Sequence, residues 1–295
     1  MYIAGIDLGG TNLKLGLFDE ELNCVFSHRV RSIRGDTEAC AHQIKEILDT
    51  APYKPAFIGA GVPGTVFRPS GRVNSGNLRW ARVDFGGTLS RVTGLKVWLD
   101  NDAQAALAAE TLPGGACCGL KNVVYLTLGT GVGGALLIDG KPWRGGDNAA
   151  GELGHFVTHA GGLRCGCGLR GCFEMYASSG ALSRMAGGVR SRMVLDQAAE
   201  GNRRMQEALD RYARELAIGL CSLYMIFRPE AIVLGGGLSA GGEILVEYIL
   251  RHVYSVYNLD AEIMRRTLRL ASRLNDAGMV GAAALAKRKF EEELL

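Results

Sequence analysis

The feature that most constrains this chain is a glycine turn between two apolar, β-like runs, because it occurs twice. Asp7-Leu8-Gly9-Gly10-Thr11-Asn12-Leu13-Lys14 joins the runs at 2–7 and 13–19. Leu128-Gly129-Thr130-Gly131-Val132-Gly133-Gly134 joins those at 122–128 and 132–138. A strand that leaves a sheet through adjacent glycines turns tightly and bares its backbone N–H groups, since no Cβ blocks an approaching ligand. Such N–H groups form a concave site for an anion. Neither turn is a Walker A loop or a GxGxxG fingerprint. One turn of this kind is explained equally well by an ordinary hairpin. Two in a repeated frame favour a pair of phosphate clamps, built on Gly9, Gly10, Thr11 and Asn12 and on Gly129, Thr130, Gly131 and Gly133. Asp7, at a strand end, is placed to hold Mg²⁺ through water, and Lys14 to neutralise phosphate charge.

The frame around the turns repeats as well. Strands are expected at 2–7, 13–19 and 22–30, a helix at 36–50, a strand at 56–61, a short helix at 86–92, a strand at 96–99 and a helix at 102–111. The second half restarts with strands at 122–128, 132–138 and 141–143. Leu209, Tyr212, Leu216, Leu220, Leu223 and Phe227 recur at spacings of three and four, the stripe of one long amphipathic helix. A strand at 231–234, a helix at 243–254, a strand at 267–271 and a terminal helix from 277 complete the pattern. Gly235-Gly236-Gly237, after a strand and before a helix, suits close passage of backbone past an adenosine, although helix–strand packing explains it nearly as well. Hairpin strands followed by alternating helix and strand, twice over, resemble the actin-like (ribonuclease H-like) α/β ATPase fold. That likeness implies two lobes, 1–113 and 114–295, with the terminal helix returning toward the first and the glycine turns on opposite walls of one cleft.

Composition narrows the function classes. Hydrophobic residues at 47% and charged residues at 21% of 295 predict a sizeable core rather than disorder. A net charge of +3, with the basic residues scattered, gives no reason to expect nucleic acid. The first run lacks the basic flank and length of a signal peptide, and no stretch approaches the roughly 18 apolar residues of a membrane span. A cytoplasmic protein without a membrane partner is expected.

The eight cysteines separate by position. Cys24, Cys40 and Cys221 lie in apolar contexts and are expected to behave as small hydrophobes. Cys117-Cys118 follows Gly114-Gly115 and reads as a surface turn. Cys165, Cys167 and Cys172 crowd a glycine-rich loop inserted at about 145–178. Three thiolates and one imidazole complete a closed tetrahedral Zn²⁺ shell of the structural type. His155 and His159 both stand near enough in sequence to supply the imidazole. Three unrelated buried thiols are the alternative, disfavoured by the polar, glycine-rich surroundings.

Taken together, DLGGT at 7–11, LGTGVGG at 128–134, GELGH at 151–155 and CGCGLRGCFEMYAS at 165–178 resemble the signature set of the ROK family of bacterial sugar kinases, in order and over nearly the whole chain. The resemblance implies transfer of the ATP γ-phosphoryl group to a hexose hydroxyl. It implies Asp102 as general base and Asn101, Glu152, His155 and Glu174 as holders of sugar hydroxyls, with His155 also a zinc ligand. Asn77, in Ser75-Gly76-Asn77-Leu78, matches a looser family pattern for the sugar. The family commonly forms homodimers.

The chemistry is consistent with these roles. A sugar hydroxyl needs a carboxylate to accept its proton as the bond to phosphorus forms. The remaining catalysis comes from positioning and charge neutralisation. Two glutamates suit a vicinal diol. Asp102 also stands where a helix N-cap is expected, so capping is its bland alternative. The rival function is a sugar-responsive regulator of the same family lacking its DNA-binding domain. With the first strand expected to begin at residue 2, no room for such a domain is expected before it. A chaperone-type ATPase would have no use for the sugar-contact set. Glucose is the first expectation for the hexose and an N-acetylhexosamine the second, ahead of mannose, fructose and allose.

Overall fold

The computed structural model describes residues 1–67, 70–147, 149–273 and 276–294. Two compact units share the chain: Met1–Pro113 with Arg144–Ala150 and Asn275–Leu295, and Gly114–Trp143 with Gly151–Leu274.

The first unit is built on β1 (Ile3–Leu8), β2 (Asn12–Phe18), β3 (Cys24–Arg31), β4 (Phe57–Val62) and β8 (Lys96–Asn101), in sheet order β3-β2-β1-β4-β8. β1 and β4 read as unbroken apolar runs because both faces are covered, as expected of parallel central strands. One cover is α10 (Ala277–Leu294), which packs on β1, β4 and α3 (Asp102–Thr111). Small residues let it approach closely. A Cβ on Gly5 would lie 2.2 Å from the Met279 carbonyl oxygen, and one on Gly281 only 1.6 Å from that of Ala105. The other face is covered by α1 (Thr37–Thr50) and α2 (Phe85–Thr93), whose Ile44, Ile47 and Leu89 are buried in the sheet's core cluster. A small antiparallel sheet, β5 (Thr65–Phe67), β6 (Arg72–Ser75) and β7 (Trp80–Asp84), follows β4.

The second unit repeats the sheet. β9 (Val123–Leu128), β10 (Val132–Ile138), β11 (Lys141–Trp143), β12 (Ala231–Gly235) and β13 (Leu268–Leu270) stand in the order β11-β10-β9-β12-β13. Each sheet has three antiparallel strands joined to two parallel ones. α4 (Glu174–Ala177), α5 (Ser179–Met185), α6 (Ser191–Ala199) and α7 (Arg203–Phe227) lie between β11 and β12. α8 (Glu243–Tyr257) and α9 (Ala261–Thr267) lie between β12 and β13. The leucine stripe of α7 is buried along with Met205, Ala213 and Cys221, while Phe227 is only partly buried.

Three readings change. Cys24 is exposed at the start of edge strand β3, because only one side of β3 is paired and most of its side chains face water. Cys117 is buried and only Cys118 sits at the surface. The strand expected at 267–271 is present as β13 but shorter by one residue at each end, Thr267 being the last residue of α9. No helix of the described residues is long and apolar enough to cross a membrane.

Candidate active site

In the first unit the polar residues gather where parallel strands end. Asp7 of β1 pairs in register with Gly61 of β4, and Gly61 with Asp100 of β8. With strands about 4.8 Å apart, Asp7 and Asp100 stand roughly 10 Å apart on one row at the carboxyl edge of the sheet. That edge is where open α/β sheets take ligands. The turn at 9–11 is closed by Gly9 N–H donating to the Asn12 carbonyl (2.9 Å) and fastened to β3 by Ser32 Oγ donating to the Gly9 carbonyl (2.6 Å). Gly10 lies under Asn77, where a Cβ would meet the Asn77 Cβ at 3.2 Å. Lys14 Nζ donates to Asp7 Oδ2 (3.2 Å), and the same carboxylate lies over Gly278 at the start of α10.

The β8–α3 junction corrects one reading. Asn101, not Asp102, is the N-cap of α3, its Oδ1 accepting from Ala103 N (2.9 Å) and Gln104 N (3.2 Å). Asn101 Nδ2 also donates to the Gly64 carbonyl (3.0 Å), tying the junction to the end of β4. Asp102 is the first helical residue, half-buried, with Oδ1 accepting from the N–H of Ala103 (2.9 Å). An acid in this first turn is favoured by the helix dipole.

In the second unit, Gly235 of β12 pairs with Thr127 of β9, so the turn at 128–132 and the glycines at 235–237 share one sheet edge. Gly236, at φ +82°, passes so close to Leu128 that a Cβ would lie 2.6 Å from its carbonyl oxygen. The Ser179 N–H donates to the Gly129 carbonyl (2.8 Å) and fixes the turn from the other side. Gly133 N–H donates to Thr127 Oγ1 (3.1 Å).

The cysteine loop is folded against this turn. Short antiparallel bridges pair Val157 with Cys172 and Arg164 with Arg170. Phe173 is fully buried, its ring occupying the space a Cβ on Gly219 of α7 would need. Glu174, next in the chain, is thereby aimed at the turn. Its Oε2 accepts from Val132 N (2.9 Å) and fills the space beside Gly131 where a Cβ would stand 2.4 Å away. Its Oε1 is 3.7 Å from Cys165 Sγ. The sequence carried no periodic signal for this tie between the cysteine loop and the glycine turn; the missing Cβ at Gly131 was its only trace.

His155, Cys165, Cys167 and Cys172 converge, with all four ligand atoms within 4.8 Å of one another. Cys165 Sγ lies 3.7 Å from His155 Nδ1, and Cys167 Sγ 3.5 Å from Cys172 Sγ. A tetrahedral zinc with bonds of about 2.3 Å to sulfur needs sulfurs about 3.7 Å apart. The donor set and spacing therefore fit zinc. His155 directs Nδ1 at the thiols and Nε2 toward Glu152 Oε2, 3.9 Å away. His159 turns elsewhere, stacking on Tyr176 with Nε2 3.3 Å from Glu215. Without metal, burial pushes the Cys172 thiol up to about 12. The Leu169 N–H, the largest influence on Cys167, holds that thiol below its ordinary value. Crowding by protein raises the Glu152 carboxyl, and the nearby Glu174 adds to the rise, although His155 opposes it.

The sequence matches the profile of the ROK family over residues 3–289. The chain belongs to the ROK family. Among its relatives, the glucokinase of Thermotoga maritima is 33% identical, the match covering 98% of each chain. The N-acetyl-D-glucosamine kinase of Photobacterium profundum is 30% identical over 97% of this chain and 99% of its own. The crystal structure of a ROK family glucokinase from Streptomyces griseus, in complex with glucose and AMPPNP, superposes with a TM-score of 0.87 at 29% identity, covering 98% of this chain and all of that one. The repeated sheets are thus the actin-like α/β fold of ROK sugar kinases.

Proposed function

We propose that this chain transfers the γ-phosphoryl group of ATP to the 6-hydroxyl of glucose, with Asp102 as general base. That it is an ATP-dependent hexose kinase follows from its family and from full-length relatives that are glucokinases and N-acetylglucosamine kinases. The observation that carries the catalytic assignment is the division of labour at the β8–α3 junction. Asn101 does the capping, so the Asp102 carboxylate is not the cap of α3 although it stands in its first turn.

In this reading Asp102 accepts the proton of the attacking hydroxyl as the bond to phosphorus forms, a role in general worth about 10²–10⁴ in rate. Asn77, Asn101, Glu152, His155 and Glu174 hold the sugar hydroxyls. If Nδ1 were to ligate zinc, His155 would carry its proton on Nε2 and could donate from there to a sugar hydroxyl. Glu174 keeps one oxygen on Val132 N–H and offers its remaining acceptor positions to the sugar. The turns at 9–12 and 129–133 present N–H groups to the phosphates, Lys14 supplies positive charge, and Gly235-Gly236 accommodates the adenosine. Mg²⁺, held through Asp7, would neutralise charge on the phosphates. Zinc on His155, Cys165, Cys167 and Cys172 would be structural, fixing the loop that carries Glu174.

Glucose is preferred over an N-acetylhexosamine because the glucokinase relative is the more similar and the superposed structure holds glucose. A coupled ADP-release assay over glucose, N-acetylglucosamine, mannose, fructose and allose tests the reading. Glucose should give the highest kcat/KM. ATP turnover that no hexose stimulates would reject the proposal.

A further inference from the structure

Asp100, one residue before the capping Asn101, carries a carboxylate that none of the functions above employs. Its side chain is only 9% exposed and is paired with Arg144, itself 18% exposed, whose Nη2 donates to Asp100 Oδ2. The other oxygen, Oδ1, accepts from the N–H of Asn101 (3.0 Å). One carboxylate thus joins a guanidinium to the peptide that leads into the base. We propose that Arg144 is a positioning residue for phosphoryl transfer, holding the Asn101–Asp102 junction in place through Asp100. The proposal rests on the reading of Asp102 as the base.

Three successive side chains fasten this junction, and they differ in reach. Asp102 bonds the N–H of its neighbour Ala103. Asn101 bonds the first turn of α3 and the end of β4. Asp100 connects to a charged group remote in sequence. Arg144 directly follows β11, yet Arg144–Ala150 belongs with the first unit. That stretch is closed by the Ala150 N–H donating to the Arg144 carbonyl (3.0 Å).

The physics makes the pair consequential. Charges so far removed from water are weakly screened, and each depends on the other. Removing Arg144 takes that counter-charge from a buried carboxylate, which then draws in water or shifts to new partners. Either response disturbs Oδ1, and with it the Asn101 N–H and the direction of Asp102. Arginine suits the task because its charge is permanent and its planar fork fixes the carboxylate's orientation as well as its charge. Catalysis is sensitive to such shifts: a misplacement of about 1 Å can cost roughly 100-fold in rate.

The test is steady-state kinetics on Arg144→Met, Arg144→Lys, Asp100→Asn and the double variant Arg144→Met/Asp100→Asn, measured well below each Tm. Arg144→Met should lower kcat by roughly 10–100-fold, the cost of a displaced catalytic group, while KM for ATP stays within about twofold. Arg144→Lys should recover part of the loss. The double variant should recover most of it, since the neutral amide needs no counter-charge. A merely stabilising pair would instead lower Tm and leave kcat intact. Wild-type kcat in Arg144→Met, or a loss that Asp100→Asn does not relieve, overturns the proposal. Should Arg144→Met fail to fold, Arg144→Lys decides, because wild-type kcat there is equally fatal. Asp102→Asn run alongside separates the two readings. Wild-type turnover in that variant refutes the base itself, whereas an inactive Asp102→Asn beside a normal Arg144→Met refutes only the positioning role.

Discussion

Removing the Glu174 side chain should loosen the glycine turn at 128–132 as well as weaken sugar binding. Glu174 Oε2 accepts from the Val132 N–H at 2.9 Å and fills the gap beside Gly131. In Glu174→Ala that N–H loses its partner, which costs about 1–3 kcal/mol for a buried donor. If the turn must be ordered to receive phosphate, the cost appears as a rise of roughly 5–150-fold in KM for ATP. Glu174→Gln retains a carbonyl oxygen for the same N–H and loses only the extra strength of a charged acceptor, about half of the bond. Gln should therefore raise KM for the sugar with little change for ATP, whereas Ala should raise both. Hydrogen exchange at the Val132 amide reads the tie directly: protection should persist in Gln and fall in Ala. An Ala variant that keeps Val132 protected and KM for ATP unchanged would refute the reasoning.

Two further predictions address the metal and the buried thiols. Purified protein should carry about one zinc per chain, as expected for a single tetrahedral site. Cys167→Ser should lose the metal and raise KM for the sugar by at least about tenfold, the smaller cost of losing a supporting partner at a metal site. Full activity after complete metal removal, measured by elemental analysis, would contradict this. Burial pushes Cys40 from 9.0 up to about 12, so between those values the unfolded thiol ionises while the folded one does not. Its stabilising contribution is complete below pH 9 and is lost as pH rises toward 12. Urea midpoints should accordingly fall above pH 9, less steeply in Cys40→Ala; identical slopes for the two proteins would contradict the assignment.

What the sequence made legible depended on how local each signal was. The strands around both glycine turns were readable as apolar runs ended by glycine, α7 by its apolar stripe at spacings of three and four, and α3 by the acid in its first turn. The cysteine cluster was readable because three of its four ligands fall within eight residues, 165–172. The sheet β5–β7 was missed: its strands are three to five residues long and Arg72, Asn74, Arg82 and Asp84 interrupt any apolar pattern. Helices α4 to α6 were hidden for a similar reason, being short and anchored by tertiary contacts such as Phe173 against Gly219. Capping was weighed for Asp102 alone, and the structure gives the capping bonds to Asn101. The Arg144–Asp100 pair joins residues 44 positions apart and left no sequence trace.

The central claim is that Asp102 takes the proton of the sugar hydroxyl, and Asp102→Asn tests it most directly. Because Asn101 caps α3, this substitution should leave Tm and sugar affinity close to those of the parent. Turnover with saturating glucose and ATP should fall by roughly 10²–10⁴-fold, the usual worth of a general base. A well-folded Asp102→Asn enzyme that turns over at the parent's rate would contradict the account.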